Sequence, residues 1–377
     1  MKRAIFAVAL AVVWFSSGKA HAYPQFQVSY DVACISCHVS PSGGGLLNEN
    51  GLGVAEANAL FADKPEVMYG AFKPPSWLNF GGEFRSATGY MHTPTNILTF
   101  FPMVYELQAE ATKGSFSVHV NAGPRPAQEG NENATRVWSR EHYVQWTQNP
   151  GDATGGLFVR LGRFMPVYGL RLAEHPAYNR QYGNTRLYSE TYGLHVAFIQ
   201  PKFEAHVTGF IKDPLIDPVD HGSGAMAYVE VRPLEQLALG AEGMYKHTAD
   251  DQRFGGGVTA KYFIPSLKML LQGELQYTNQ LIAKSSTNAA GGAPLHLLGF
   301  VMASISPKPW LMFDLGLGHY DSNIRIKDLD RDAADLNIHL FLDSHLELVL
   351  MNRVEALAFG NAGPTSGWTL LQLHYRL

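Results

Sequence analysis

Two cysteines occur in this 377-residue chain, and both fall within five residues: Cys34-Ile35-Ser36-Cys37-His38. Two thiols at that spacing reach the two vinyl groups of one porphyrin, and the imidazole beside the second thiol is placed to ligate the iron from one face. Other uses of a Cys pair compete. A redox dithiol usually sits beside a βαβ pattern, and none is visible. A structural zinc wants four ligands, and the chain has no second Cys pair to supply them. In an exported protein, an otherwise unused pair forms a disulfide. His38 directly after the pair favours one covalent c-type haem, attached through Cys34 and Cys37 and ligated by His38. The second axial ligand is expected at Met68, the one other soft or imidazole ligand between Tyr23 and Pro75. Met91 and His92, at the end of the first expected strand, are rivals, and methionine is more often packing filler than a ligand.

The elements that must position this motif begin with export. Met1-Lys2-Arg3 is a basic start, Ala4 to Phe15 is an apolar run, and Ala20-His21-Ala22 is a small-x-small cleavage pattern. Together they read as a signal peptide over residues 1–22. The run is shorter than the ~20 residues of a spanning helix. No cysteine stands at the cleavage point to support a lipid anchor. The segment 23–75, about fifty residues, is short for a free-standing core. It carries a flexible Pro41-Ser42-Gly43-Gly44-Gly45 turn and an expected short helix over Val54–Phe61 stopped by Lys64-Pro65. Such a segment is expected to fold around its haem and against something larger.

Residues 76–377 supply the larger body. The chain is 46% hydrophobic and 12% aromatic but only 16% charged, against about a quarter charged in ordinary soluble domains. Its mean hydropathy is nevertheless -0.09, as expected where apolar and polar residues alternate. Phe116, Val118 and Val120 alternate with Ser117, His119 and Asn121; Phe203, Ala205 and Val207 with Glu204, His206 and Thr208; Leu336, Ile338 and Leu340 with Asn337 and His339. Period two marks strands with unlike faces. In a membrane barrel the apolar face meets lipid and the polar face the lumen; a soluble β-sandwich would alternate as well. Pro201, Pro233, Pro265 and Pro307 recur 32, 32 and 42 residues apart, one per strand pair, where a residue that cannot donate to a ladder belongs. Longer connections are expected near Thr248–Asp251, Lys284–Gly292, Asp321–Asp335 and Phe359–Ser366. The chain ends in a strand, Trp368–Leu377. The fold class expected is all-β: an antiparallel up-and-down transmembrane barrel of about 16 strands, its lumen plugged by the N-terminal segment.

Two stretches depart from the meander. After Gly162–Gly169 come Arg171, Glu174, His175, Arg180 and Arg186, readable either as a loop folded into the lumen or as a charged external loop. Asp328, Asp330, Asp332 and Asp335 read as a solvated acidic loop. A Ca²⁺ loop would need a glycine at its sharp turn and a Glu where His339 stands. The formal charge of -4 gives no basic excess for nucleic acid. No nucleophile triad, phosphate loop or zinc motif is present.

An N-terminal C-x-x-C-H followed by a porin-like barrel resembles the fused monohaem cytochrome–porin family of the bacterial outer membrane, which includes iron oxidases. Pro24 and Phe26 before the motif match that family, and Pro41 with Leu47-Asn48-Glu49-Asn50-Gly51 after it matches in part. Gln27-Val28 stands where Ala-Arg is usual, Asn50 replaces an aromatic, and Gly43-Gly44-Gly45 is extra. The expected function is an outer-membrane electron conduit. It would pass electrons between an extracellular redox partner, for which the resemblance implies Fe²⁺, and a periplasmic c-type cytochrome. A transport porin with a structural or redox-sensing haem plug is the rival.

Overall fold

The computed structural model describes residues 33–92, 97–124, 137–152, 155–174, 176–186, 188–215, 222–283, 293–357 and 365–377. The signal peptide expected at 1–22, and Pro24, Phe26, Gln27 and Val28, lie outside them, as does His175. The strands are β1 (Leu78–His92), β2 (Ile97–Lys113), β3 (Phe116–Pro124), β4 (Val137–Trp138), β5 (His142–Thr147), β6 (Gly156–Phe164), β7 (Thr191–Gln200), β8 (Phe203–Ile211), β9 (Ser223–Leu234), β10 (Leu237–His247), β11 (Asp251–Ile264), β12 (Met269–Ala283), β13 (Leu295–Lys308), β14 (Leu311–Asp321), β15 (Asp330–Phe341), β16 (Leu346–Leu357) and β17 (Thr365–Arg376).

Each strand pairs antiparallel with its sequence neighbours, and β17 closes on β1 with Glu83 opposite Arg376. Both β4 and β5 pair with β3, so they form one interrupted stave and the closed barrel has sixteen. Apart from that stave, strands run from 9 residues in β3 to 17 in β2. The ~9–11 residues of a tilted membrane-spanning strand are therefore available.

The two faces are sorted in reverse of a soluble core. Phe116, Val118 and Val120 are exposed, while Ser117, His119 and Asn121 between them are buried. The same holds for Val207 against Glu204, His206 and Thr208, and for Leu271, Leu275 and Tyr277 against Gln272, Glu274 and Gln276. An apolar exterior around a polar interior is stable in hydrocarbon, and closure pairs the backbone groups that a sheet edge would leave unpaired. The chain is thus an outer-membrane type of β-barrel and not a β-sandwich. Among the described residues no helix is long and apolar enough to cross a membrane.

The four recurrent prolines all fall at one end of the barrel, with the tight turns such as Lys113–Phe116 and Lys308–Leu311. Two expected connections at the opposite end are corrected. Thr248–Asp251 is a tight turn, with the Thr248 N–H donating to the Asp251 carbonyl at 2.7 Å. The acidic stretch is largely strand, because β15 begins at Asp330. Asp332 pairs with His319 at 2.8 Å, and Asp335 with Arg353. Residues 284–292 and 358–364 lie outside the described residues.

Candidate functional site

Residues 33–72 meet the barrel from the tight-turn end. Ala33 and Ile35 pack on the inward Phe158, Ala197 and Ile199 of β6 and β7. The N–H groups of Leu60 and Phe61 donate to the carbonyls of Phe341 and Leu342 at the β15–β16 turn, both at 2.9 Å. Ser344 Oγ donates to Asp63 at 2.5 Å, and His345 Nε2 to the Lys64 carbonyl at 2.8 Å. The helix α1 spans Glu49–Asn58, earlier than the expected Val54–Phe61. Asn48 starts it by accepting the Gly51 N–H at 3.0 Å, an N-cap bond. It ends when Leu60 and Phe61 bond to the barrel instead of continuing the helical ladder.

The cysteine motif occupies one 3₁₀ turn, Cys34–Ser36. The N–H groups of Cys37 and His38 donate to the Cys34 carbonyl at 3.2 and 2.9 Å, and both thiols are unpaired. The chain then folds back so that His38 bridges to Leu47. The reversal passes through Gly43, Gly44 and Gly45, all at left-handed φ of 80°, 74° and 62°, a run that side-chain-bearing residues disfavour. Gly51 is needed for a different reason: a Cβ there would strike the Cys37 carbonyl oxygen.

Asn48 Nδ2 donates to the Ile35 carbonyl at 2.9 Å, and Asn50 Nδ2 to the Ser36 carbonyl at 2.8 Å with Cys37 Sγ at 3.8 Å. Asn50 thus serves as a clamp on the motif.

The His38 ring has Nδ1 buried without a hydrogen-bond partner. Burial, then the Arg376 charge, lowers its pKa to about 4, so a neutral imidazole with a lone pair for a metal is present above that pH. Two thiols in one turn with such an imidazole fit a c-type haem. Met68 does not join them. It sits 52% exposed in a left-handed turn beside Tyr69, whose ring lies against His345 at the barrel rim. Met91 and His92 end β1 at the opposite end of the barrel.

The long connection after β6 folds inward, which decides between the two readings open for it. It carries the short helix α2 (Tyr178–Tyr182) and reaches strands diametrically across the lumen. Tyr178 packs on Leu298, Phe300 and Ala333, and its hydroxyl donates to the Arg331 carbonyl at 2.7 Å. Arg353 donates to Gln181 Oε1 and the Pro176 carbonyl at 2.6 and 2.7 Å while pairing with Asp335. Asn179 and Asn184 bond to Glu274 and Gln276. From this connection Arg171 Nη1 donates to the Ser42 carbonyl at 3.4 Å, and from β6 Arg160 Nη2 donates to Ser40 Oγ at 2.9 Å. The plug and the connection therefore meet beside the cysteine motif.

The lumen wall there is basic. Arg171, Arg232 and Lys261 interleave with Glu204 and Glu230, with Arg232 Nη2 at 3.0 and 2.7 Å from the two carboxylates. Arg171 and Arg232 are electrostatic neighbours of Cys34 and supply the charge sign that haem propionates need. The opposite wall holds Asp314, His339, Glu347, His374 and Glu83. Sequence reading missed these residues as a group, since they stand on five separate strands. Their one signal was a polar residue at the inward position of each strand.

No family model and no curated protein matches the sequence. Solved structures do match in fold. The outer-membrane OmpT of Vibrio cholerae aligns at TM-score 0.60 and 12% identity, covering 81% of this chain and 99% of that one. OprB of Pseudomonas putida aligns at 0.60 and 10%, covering 80% and 94%. The outer-membrane channel DcaP of Acinetobacter baumannii aligns at 0.57 and 12%, covering 81% and 99%. The fold is that of a porin-like outer-membrane barrel.

Proposed function

We propose that this chain is an outer-membrane electron conduit of the fused cytochrome–porin kind. A haem bound covalently through Cys34 and Cys37, with His38 as iron ligand, would supply a one-electron couple inside an otherwise insulating layer. The observation that carries the reading is the placement of the cysteine turn, which Arg160 and Arg171 hold against the lumen wall at Ser40 and Ser42.

The residues have separable roles in it. The turn brings the two cysteines together, Asn48 and Asn50 fix the carbonyls of that turn, and the Gly43–Gly45 reversal brings the chain back past His38. The inward connection and the plug narrow the water path, so solute flow gives way to electron flow. The extracellular partner is proposed as a one-electron donor, Fe²⁺ becoming Fe³⁺ as its electron passes inward to a periplasmic c-type cytochrome. No acid–base group is required for that chemistry.

The porin-like fold, shared with the outer-membrane channel DcaP, favours a second reading, a solute porin with a haem-bearing plug. Liposomes holding the protein and an internal redox dye separate the two. External Fe²⁺ or dithionite should bleach the dye with wild-type protein and not with C34A/C37A. Equal bleaching by both proteins, with solute-driven swelling retained, rejects the conduit.

A further inference from the structure

The wall opposite the basic one carries an unusual alternation of imidazoles and carboxylates. His339 Nε2 lies 3.0 Å from Asp314 Oδ2, and its Nδ1 lies 2.9 Å from Glu347 Oε1. His374 Nδ1 lies 2.9 Å from Glu347 Oε2, and its Nε2 lies 3.2 Å from Glu83 Oε1. Both ring nitrogens of His339 thus meet a carboxylate oxygen in hydrogen-bond geometry, whereas His374 does so at Nδ1 alone. A neutral imidazole has one N–H and one lone pair, so one contact of His339 sets a lone pair against an anion. Either that ring carries an extra proton or a cation sits beside it.

Two further observations favour a metal ion. Asp314, 3% exposed, holds the Nε2 edge of His339, which leaves Nδ1 as the lone pair for an ion, and its Oδ1 is buried without a hydrogen-bond donor. Glu174 comes down from the inward connection so that its ligand oxygen and those of His339 and Glu347 all lie within 4.8 Å of one another. Glu174 Oε2 also lacks a hydrogen-bond donor, with Arg85 Nη1 no nearer than 4.0 Å. The other fixed cation, Arg376 Nη2, is 3.8 Å from Glu347. Adjacent ligands on a first-row ion, each at ~2.1 Å, stand roughly 3 Å apart, the separation seen between His339 Nδ1 and Glu347 Oε1.

We propose that His339 through Nδ1, Glu347 and Glu174 form a lumen site for a first-row divalent cation, with Asp314 orienting the ring from its Nε2 edge. The mixed imidazole and carboxylate set suits Mn²⁺, Fe²⁺, Co²⁺ or Zn²⁺ better than Ca²⁺ or Cu⁺. His374 is the positioning residue: it holds Glu347 from behind and ties the site to Glu83, an electrostatic neighbour of His38. The site stands on its own residues; its use by Fe²⁺ as electron donor rests on the conduit reading.

The test uses the full-length, haem-loaded protein in detergent and Mn²⁺ alone as probe, read by loss of the six-line EPR signal of the free ion. Wild type should bind one Mn²⁺ per chain. H339A/E347Q should bind it weaker by on the order of tenfold or more. E174Q, which keeps a hydrogen-bonding group on the inward connection, should weaken it as well and covers the case in which the double variant fails to fold. H319N, which breaks the His319–Asp332 pair at the other end of β14, should bind Mn²⁺ as wild type does. Heat-modifiable gel mobility reports folding for each. Equal binding by wild type and folded E174Q overturns the site, as does loss of binding in H319N. Mn²⁺ binding without any haem reduction by Fe²⁺ leaves the site standing and rejects Fe²⁺ as the donor.

Discussion

Residues 33–72 and residues 165–190 fill the lumen from opposite ends and touch at Ser42 and Arg171, but different forces hold them. The inward connection is fixed by side chains. Tyr178 is wholly buried in an apolar cluster, and Arg353 clamps Gln181, the Pro176 carbonyl and Asp335 at once. The plug is fixed largely through its main chain: Leu60 and Phe61 extend the β15–β16 turn, and Lys64 is held by its carbonyl. Among the described residues of the plug, the buried apolar side chains are Ala33, Ile35 and Leu46. At ~25 cal/mol per Å² such a set contributes little. A segment with that much ordered chain and so small a core suits a porphyrin as its missing apolar mass. The connection is a finished part of the barrel; on the proposed function, the plug is a cradle.

The largest effect should come from removing what the cradle holds. C34A/C37A is expected to lose all covalent haem, seen as loss of the haem-stained band, while the barrel keeps its heat-modifiable mobility. Without the porphyrin, cleavage at the Gly43–Gly45 turn by an added protease should speed up by on the order of tenfold or more. A haem-free protein as resistant as wild type would show that the main-chain contacts suffice alone, and the distinction between cradle and finished wall would fail.

The connection should respond to a different change. R353L removes a side chain 1% exposed and leaves Asp335 without its partner in the lumen. Breaking one side of a buried pair costs about 3–5 kcal/mol, and the Gln181 and Pro176 anchors go with it. Urea unfolding should show the loss, and single-channel conductance should rise as the connection swings free. Haem content should stay at the wild-type level, because no contact of the cysteine turn runs through Arg353. A fall in haem content would mean that the two fillings support one another.

Much of this was legible in sequence because two signals are local. Period-two alternation in stretches such as Phe116–Asn121 specifies which residues face lipid, since a slip of one residue would expose every polar group to hydrocarbon. The Cys34–His38 spacing is equally local. What could not be read there depends on distant residues. Met68 looked like a ligand by type, but its turn is drawn to the rim by the Tyr69–His345 contact. Thr248–Asp251 falls between proline-marked turns, where a longer connection is expected, yet Asp251 starts a strand and pairs with Arg253. Asp332 and Asp335 looked like solvated loop residues until His319 and Arg353, on neighbouring strands, supplied their partners. The Asp314–His339–Glu347–His374 ladder had no linear signature, because adjacent members lie on neighbouring staves.

The smallest expected effect is the most selective probe of the cradle. Asn48 caps α1 through the Gly51 N–H and reaches back to the Ile35 carbonyl, so it couples the helix to the cysteine turn. Removing a cap costs ~1 kcal/mol, and the lost bond to Ile35 adds about 1 kcal/mol more. N48A should therefore speed amide exchange at Gly51 and Leu52 by a factor of roughly 5–30. The global urea midpoint should stay put, because the β1–β17 closure does not pass through the plug. It should also shift the haem optical spectrum only slightly, since Cys34, Cys37 and His38 keep their own bonds. If the midpoint falls together with amide protection, plug and barrel unfold as one cooperative unit. The plug would then be a structural part of the wall, like the connection it meets at Arg171.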